Sequence, residues 1–219
     1  MRKEDVRARI EEIGIIPAVR VAWAEQALYA AETVNAGGIP IAEITMTVPN
    51  AVDVIARLAQ ALPDMVVGAG TVLDAETAQR CLDAGAKFLT SPGLVPDVLE
   101  FAVQNEVVVF PGALTPTDVI AAWKAGADFV KIFPCAAVGG PSYIRALKVP
   151  LPQVPLIASG GVNQQTAVSF IAAGATALGV GSELIPREAL QLRQKDRIYE
   201  LARRFLGMVR TGRAEGTGR

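Results

Sequence analysis

The sequence predicts an α/β fold, first a (β/α)8 TIM barrel with an extra N-terminal helix and, as the alternative, an open doubly wound sheet. Three observations carry this reading. Short apolar runs alternate with longer helix-like runs about eight times along the chain. The apolar runs have no polar face, as expected of parallel strands covered by helices on both sides. A helix-ending glycine recurs about every second unit, in Asn35-Ala36-Gly37-Gly38, Asp83-Ala84-Gly85-Ala86, Lys124-Ala125-Gly126-Ala127 and Ala172-Ala173-Gly174-Ala175. Ordinary C-capping produces the same recurrence, so it supports the number of units more than closure of the sheet. The 219 residues lie at the lower end for an eight-fold barrel, typically about 250 residues.

Each element has its own signal. Residues 2–13 set Val6, Ile10 and Ile13 among charges, an amphipathic helix closed by Gly14. A strand at 15–21 leads into an alanine-rich helix at 22–36. The second strand, 41–46, is followed by a helix at 50–62 with Pro49 in its first turn. Strand 66–72 precedes a helix capped by Asp74 and running to 84. Strand 88–90 and helix 95–104 form the fourth unit. Strand 107–110 precedes a helix to 125 that Thr115 caps and Pro116 opens. The sixth strand is 129–133, with a short helix at 141–147. The seventh is 156–158, with a helix to 173 capped by Asn163. The eighth is 177–180, and one charged helix from about 187 to 209 ends a single domain spanning 1–210. Residues 211–219, polar and glycine-rich, read as a flexible tail.

Composition narrows the function. No apolar segment approaches the roughly 18 residues of a membrane span, and the start, Met1-Arg2-Lys3-Glu4-Asp5, has no signal-peptide core. The expectation is a cytoplasmic protein without a membrane partner. A net charge of -1 with scattered charges offers no basic stripe for nucleic acid, which leaves a small molecule as the ligand. Cys81 and Cys135 stand in no metal-ligand or disulfide spacing and read as packing residues. Histidine is absent. That removes the Ser-His triad, the histidine base and the commonest zinc ligand together. Chemistry must then use lysine, carboxylates, hydroxyls, backbone groups or a bound cofactor.

Residues 129–134, Phe-Val-Lys-Ile-Phe-Pro, place one lysine inside a short apolar strand. Alternate strand side chains share a face, so Phe129, Lys131 and Phe133 point one way. An unpaired ammonium between aromatics is costly, and a neutral amine is what a Schiff-base lysine needs. The plain alternative is a lysine that snorkels to water from a strand end. Glu43 poses the same question in the second strand, on the face of Ile41, Thr45 and Thr47. An ion pair with Lys131 answers it and is compatible with catalysis.

In a barrel, functional groups gather at the C-terminal strand ends. Gly68-Ala69-Gly70-Thr71 allows close approach and offers the Thr71 hydroxyl, while Ser91-Pro92-Gly93 and Phe110-Pro111-Gly112 leave the mouth open. Ser159-Gly160-Gly161 and Gly181-Ser182, on adjacent strands, would present backbone N–H groups to an anion. Each is also readable as a tight turn.

These ordered motifs, from Ala42-Glu43-Ile44-Thr45-Met46 and Gly68-Ala69-Gly70-Thr71-Val72 through Val130-Lys131-Ile132-Phe133-Pro134 to Gly181-Ser182, span about residues 15–186. They resemble the class I aldolases that cleave 2-keto-3-deoxy-6-phosphogluconate (KDPG), a family that includes 4-hydroxy-2-oxoglutarate (KHG) aldolases. The resemblance implies an eight-fold barrel, a homotrimer, and no metal or organic cofactor. It implies that Lys131 forms the Schiff base, Glu43 shuttles protons, Thr71 seats the pyruvyl carboxylate, and Gly160, Gly161, Gly181 and Ser182 cradle phosphate. Pro92 and Phe133 join them as substrate-binding positions. Many members carry arginine where this chain has Thr47, and threonine supplies neither the charge nor the fork of a guanidinium. Arg20, at the mouth of the first strand, is the candidate replacement. Alternatives are cleavage of 2-keto-3-deoxy-6-phosphogalactonate, a phosphate-binding isomerase or synthase without covalent chemistry, and a non-enzymatic phosphosugar-binding module.

Overall fold

The computed structural model describes residues 1–217, with only the backbone at Thr217. Helix α1 (Lys3–Ile13) precedes strand β1 (Ile15–Val19), and Gly14 ends the helix at φ 68°. There follow α2 (Ala24–Ala36), β2 (Ile41–Thr45), α3 (Ala51–Ala61), β3 (Val66–Gly70), α4 (Ala75–Asp83), β4 (Phe88–Thr90) and α5 (Pro96–Gln104). Next come β5 (Val108–Phe110), β6 (Gly112–Ala113), α6 (Pro116–Lys124), β7 (Val130–Ile132), a 3-10 turn (Ala136–Val138) and α7 (Pro141–Lys148). The chain continues through β8 (Leu156–Ser159), α8 (Ala167–Ala172), β9 (Ala175–Val180), α9 (Arg187–Gln191) and α10 (Lys195–Thr217).

All recorded strand pairs are parallel, in the order β5-β4-β3-β2-β1-β9-β8-β7-β6. The two ends of that order are consecutive in the chain, separated only by Pro111. β5 and β6 are therefore one barrel strand interrupted by a residue that has no N–H to donate. Backbone bonds from Phe129, Lys131 and Phe133 to the carbonyls of Val109, Pro111 and Ala113 complete the ring. The fold is the (β/α)8 barrel.

The barrel floor is aromatic. Phe88, Phe110 and Phe129 are fully buried, Phe88 stacked on Phe110 at 5.0 Å and Phe129 edge-on to Phe110 at 6.2 Å. Each such ring contributes about 1.5–3 kcal/mol relative to exposure. Helix α1 lies below this layer with Val6 and Ile10 buried, and the Arg7 guanidinium stands 5.6 Å from the Phe129 ring. Packed side chains fill the N-terminal end, so the site must open at the C-terminal strand ends.

Four local expectations need correction. Pro49 precedes helix α3 rather than entering it, because Asn50 takes the left-handed conformation at φ 56°. Asn163 forms a side-chain turn, its carboxamide oxygen accepting the N–H groups of Gln165 and Thr166 at 3.0 Å, and α8 begins only at Ala167. The last helix is two, broken at Arg193 with φ 49°. The stretch read as a flexible tail is helical as far as Thr217. Gly212 is there a contact residue, since a Cβ would sit 2.7 Å from Ile171 Cβ. Arg213 fastens the same turn by donating to the carbonyls of Glu11 and Glu12. The expectation for residues 218–219 lies outside the described residues.

Candidate active site

Strands β2 and β7 stand four steps apart around the ring (β2, β1, β9, β8, β7), on opposite sides of the barrel. Side chains of these two strands that point inward therefore meet across the interior. Lys131 Nζ lies 3.5 Å from Glu43 Oε2, with residue exposures of 7% and 2%. Lys131 Nζ is also 5.7 Å from the Phe133 ring centroid. Removing one member of such a buried pair strands the other charge, at a cost of about 3–5 kcal/mol.

Glycine makes room for the carboxylate. A Cβ on Gly70 would stand 2.1 Å from Glu43 Oε1, so no larger residue fits there with Glu43 in place. At Gly68 the neighbour is the Phe88 ring, 2.4 Å from a Cβ. The next residue, Thr71, holds φ 60°. A β-branched residue seldom adopts that region, and such backbone concentrates at functional sites. Thr71 is half-buried at the end of β3.

The loops after β7 and β8 are stapled together. The N–H groups of Cys135 and Ala136 donate to the carbonyls of Ser159 and Gly160 at 2.8 and 2.9 Å. Gly160 and Gly161 have φ of 83° and 87°. A Cβ on Gly161 would fall 2.2 Å from Ala136 Cβ, and one on Gly160 would fall 2.9 Å from Pro134 Cα. Packing thus requires both glycines, whatever else they bind. Gly181 differs, because a Cβ there would meet nothing closer than the Ala18 carbonyl at 3.7 Å. The Gly181 carbonyl accepts the N–H groups of Leu184 and Ile185, both at 3.0 Å, in a tight turn that leaves Ser182 exposed.

Pro92 is exposed, and its carbonyl packs where a Cβ of Gly112 would be. Arg20 is exposed and, among the described residues, makes no ion pair. The register Val19↔Ile44 brings Arg20 level with Thr45. Thr45 Oγ1 donates to the Val19 carbonyl at 3.1 Å and lies 2.8 Å from Thr47 Oγ1. These hydroxyls tie the end of β2 to the residue before Arg20, so Arg20 and Thr47 border the same part of the mouth. The tie through Thr45 is the contribution that strand pattern alone misses, because threonine there reads simply as a strand former.

The cysteines lie outside this constellation. Burial pushes both thiols up to about 11, and Cys81 Sγ packs 3.5 Å from Met46 Sδ. Among the described residues, no group of three or more His, Cys, Asp or Glu side chains is arranged to hold a metal ion. No described helix is long and apolar enough to cross a membrane. A cavity of about 560 Å³ lies between α5 and α6, lined by Leu94, Leu99, Val103 and Ala121 among others. It contains none of the groups above and is an apolar groove of the outer layer.

An amine and a carboxylate buried together at the open end of a (β/α)8 barrel are the pair of groups needed by an enzyme that cleaves carbon–carbon bonds through a lysine-bound carbonyl. The chain belongs to the KDPG and KHG aldolase family, whose model matches residues 6–201. The KHG/KDPG aldolase of Escherichia coli (strain K12) is 33% identical over 189 residues, covering 86% of this chain and 89% of the relative. The 2-dehydro-3-deoxy-phosphogluconate aldolase of Pseudomonas aeruginosa is 29% identical over 207 residues, covering 93% and 94%. Among solved structures, the KDPG aldolase of Legionella pneumophila, with pyruvate captured at low pH as a covalent carbinolamine intermediate, has a TM-score of 0.84. It is 30% identical and matches 90% of this chain and 96% of that one.

Proposed function

We propose that this chain is a Schiff-base aldolase that splits 2-keto-3-deoxy-6-phosphogluconate, or a close 2-keto acid such as 4-hydroxy-2-oxoglutarate, into pyruvate and an aldehyde. The observation that carries the reading is the buried Lys131–Glu43 contact at 3.5 Å, in a chain of the KDPG and KHG aldolase family. Lys131 attacks the C2 carbonyl to give a carbinolamine, and loss of water gives an iminium. The C3–C4 bond then breaks, its electron pair moving toward the iminium nitrogen to form an enamine while the C4 hydroxyl gives up its proton. The aldehyde departs, C3 of the enamine takes a proton, and water releases pyruvate and the free lysine. Glu43, directly or through water, accepts and returns these protons. Substrate, water and protons balance without an outside oxidant or reductant.

The remaining roles follow from position. Thr71, held at φ 60°, presents its hydroxyl and backbone to the substrate carboxylate. Phe133 and Pro92 wall the pocket. The turns at Gly160, Gly161, Gly181 and Ser182 receive the phosphate through backbone N–H groups. Among the described residues, the N–H groups of Gly161 and Ser182 donate to no protein acceptor, which supports that role. Arg20 supplies, from the neighbouring strand, the charge that Thr47 lacks. We also expect a cytoplasmic homotrimer, by kinship.

A panel of phosphorylated and unphosphorylated 2-keto acids, assayed for pyruvate release, tests substrate and phosphate site together. The expected result is a kcat/KM at least about tenfold higher for the phosphorylated member of each pair, the size of one charge-assisted anion contact. Equal values would remove the phosphate role from the two turns.

A further inference from the structure

Pro111 breaks the fifth barrel strand beside the strand that carries Lys131. In an unbroken parallel ladder, the N–H of residue 111 would donate to the Phe129 carbonyl, and proline has none to give. The adjoining bond is long, with Phe129 N 3.4 Å from the Val109 carbonyl against 3.0 Å for Lys131 N to the Pro111 carbonyl. Asp128 makes good the loss. Its N–H donates to the Val109 carbonyl at 3.0 Å, and its Oδ2 accepts the Val109 N–H at 2.9 Å. Main chain and side chain of one residue thus close a two-bond clasp on one residue of β5. The same Oδ2 receives Lys3 Nζ of α1 at 3.0 Å, so the carboxylate, only 7% exposed, is paired rather than stranded.

We propose that Asp128, partnered by Lys3, is a positioning residue for Lys131: it clasps β7 to β5 across the proline break and so fixes where the lysine amine stands relative to Glu43. This inference rests on the Schiff-base reading of Lys131. β7 is only three residues long, and Asp128 stands three residues ahead of the lysine, so a shift at the clasp moves the amine. A displacement of about 1 Å at a reacting group costs roughly 100-fold in rate.

Two single variants and one double variant test the proposal. Asp128→Val removes the acceptor, and Asp128→Asn keeps an oxygen for Val109 N–H. The double variant Pro111→Ala/Asp128→Val gives the ladder its missing donor instead. Each is measured well below its own melting temperature for kcat and KM of cleavage and for the rate at which pyruvate with borohydride labels Lys131. For Asp128→Val we expect kcat and labelling rate to fall together by about tenfold or more, with KM within about twofold. Asp128→Asn and the double variant should stay within about threefold of the parent. A folded Asp128→Val with a lowered melting temperature but unchanged kcat and labelling rate would make Asp128 a stability residue only and overturn the proposal. If Asp128→Val does not fold, the double variant decides: folded and active supports the clasp, while misfolded or inactive overturns it. If the parent itself is not labelled, the aldolase reading fails and this inference falls with it. Labelling of the parent with unaltered variants removes the clasp alone.

Discussion

At the residue scale, the reading turns on two charges that composition would not bury. Strand alternation alone puts Lys131 between Phe129 and Phe133 on one face, and it puts Glu43 inside an apolar strand. What alternation does not contain is that β2 and β7 face each other across the ring, a fact of topology that makes the two residues partners. Nor does sequence say which neighbour a glycine accommodates. Gly70 serves the Glu43 carboxylate and Gly68 the Phe88 ring, although both look like room for a ligand. The Glu43→Gln variant separates the two duties of the carboxylate. The amide keeps the shape and can still accept a hydrogen bond from the lysine, but it carries no charge and takes up no proton, so kcat should fall by about 100- to 10,000-fold. The same variant should lose about 3–5 kcal/mol of stability at pH 7, read by denaturant unfolding. Retention of kcat would remove Glu43 from the proton transfers.

At the scale of elements, polar signals of short range were the most legible. Asp74 caps α4 by accepting the Thr77 N–H at 2.7 Å. Thr115 caps α6 in a reciprocal box with Asp118, whose carboxylate accepts the N–H groups of Thr115 at 2.8 Å and Leu114 at 3.1 Å. These backbone bonds, with the Thr115 hydroxyl, hold the Asp118 carboxyl below the usual carboxylate range. A carboxyl depressed on folding stabilises the protein above its unfolded-state value, near pH 4, and loses that contribution as pH falls through the folded-state value. Asp118→Asn should therefore lower the melting temperature at pH 7, with a deficit that shrinks as the pH is brought down below about 4, both read by thermal scans. A deficit that stays the same over that range would contradict the electrostatic part of the cap. The end of the chain was the least legible element. Polarity and glycine in 211–217 suggest a loose tail, whereas Gly212 admits α8 to close contact and α10 continues past it. A glycine that permits contact and a glycine that permits bending are the same letter until the partner helix is known.

At the scale of the whole molecule, the eight strand–helix units are legible because each is written in local periodicity, but closure is not. Closure depends on β5 and β6 standing at the two ends of the strand order while being neighbours in the chain, with Pro111 between them. The seam and the strand that carries Lys131 are adjacent, the floor below is filled by Phe88, Phe110, Phe129 and α1, and the loops after β7 and β8 are stapled above. With the floor filled, the barrel opens at its C-terminal mouth, where the proposed reaction brings a carbonyl to Lys131 beside Glu43. The central claim, covalent attachment of substrate to Lys131, is tested most directly by mass spectrometry of the intact protein after incubation with pyruvate and sodium borohydride. The account predicts one stable pyruvyl-derived adduct per chain, mapped to Lys131 by peptide analysis and absent from Lys131→Met. Active protein that carries no adduct, or an adduct on another lysine, would contradict it.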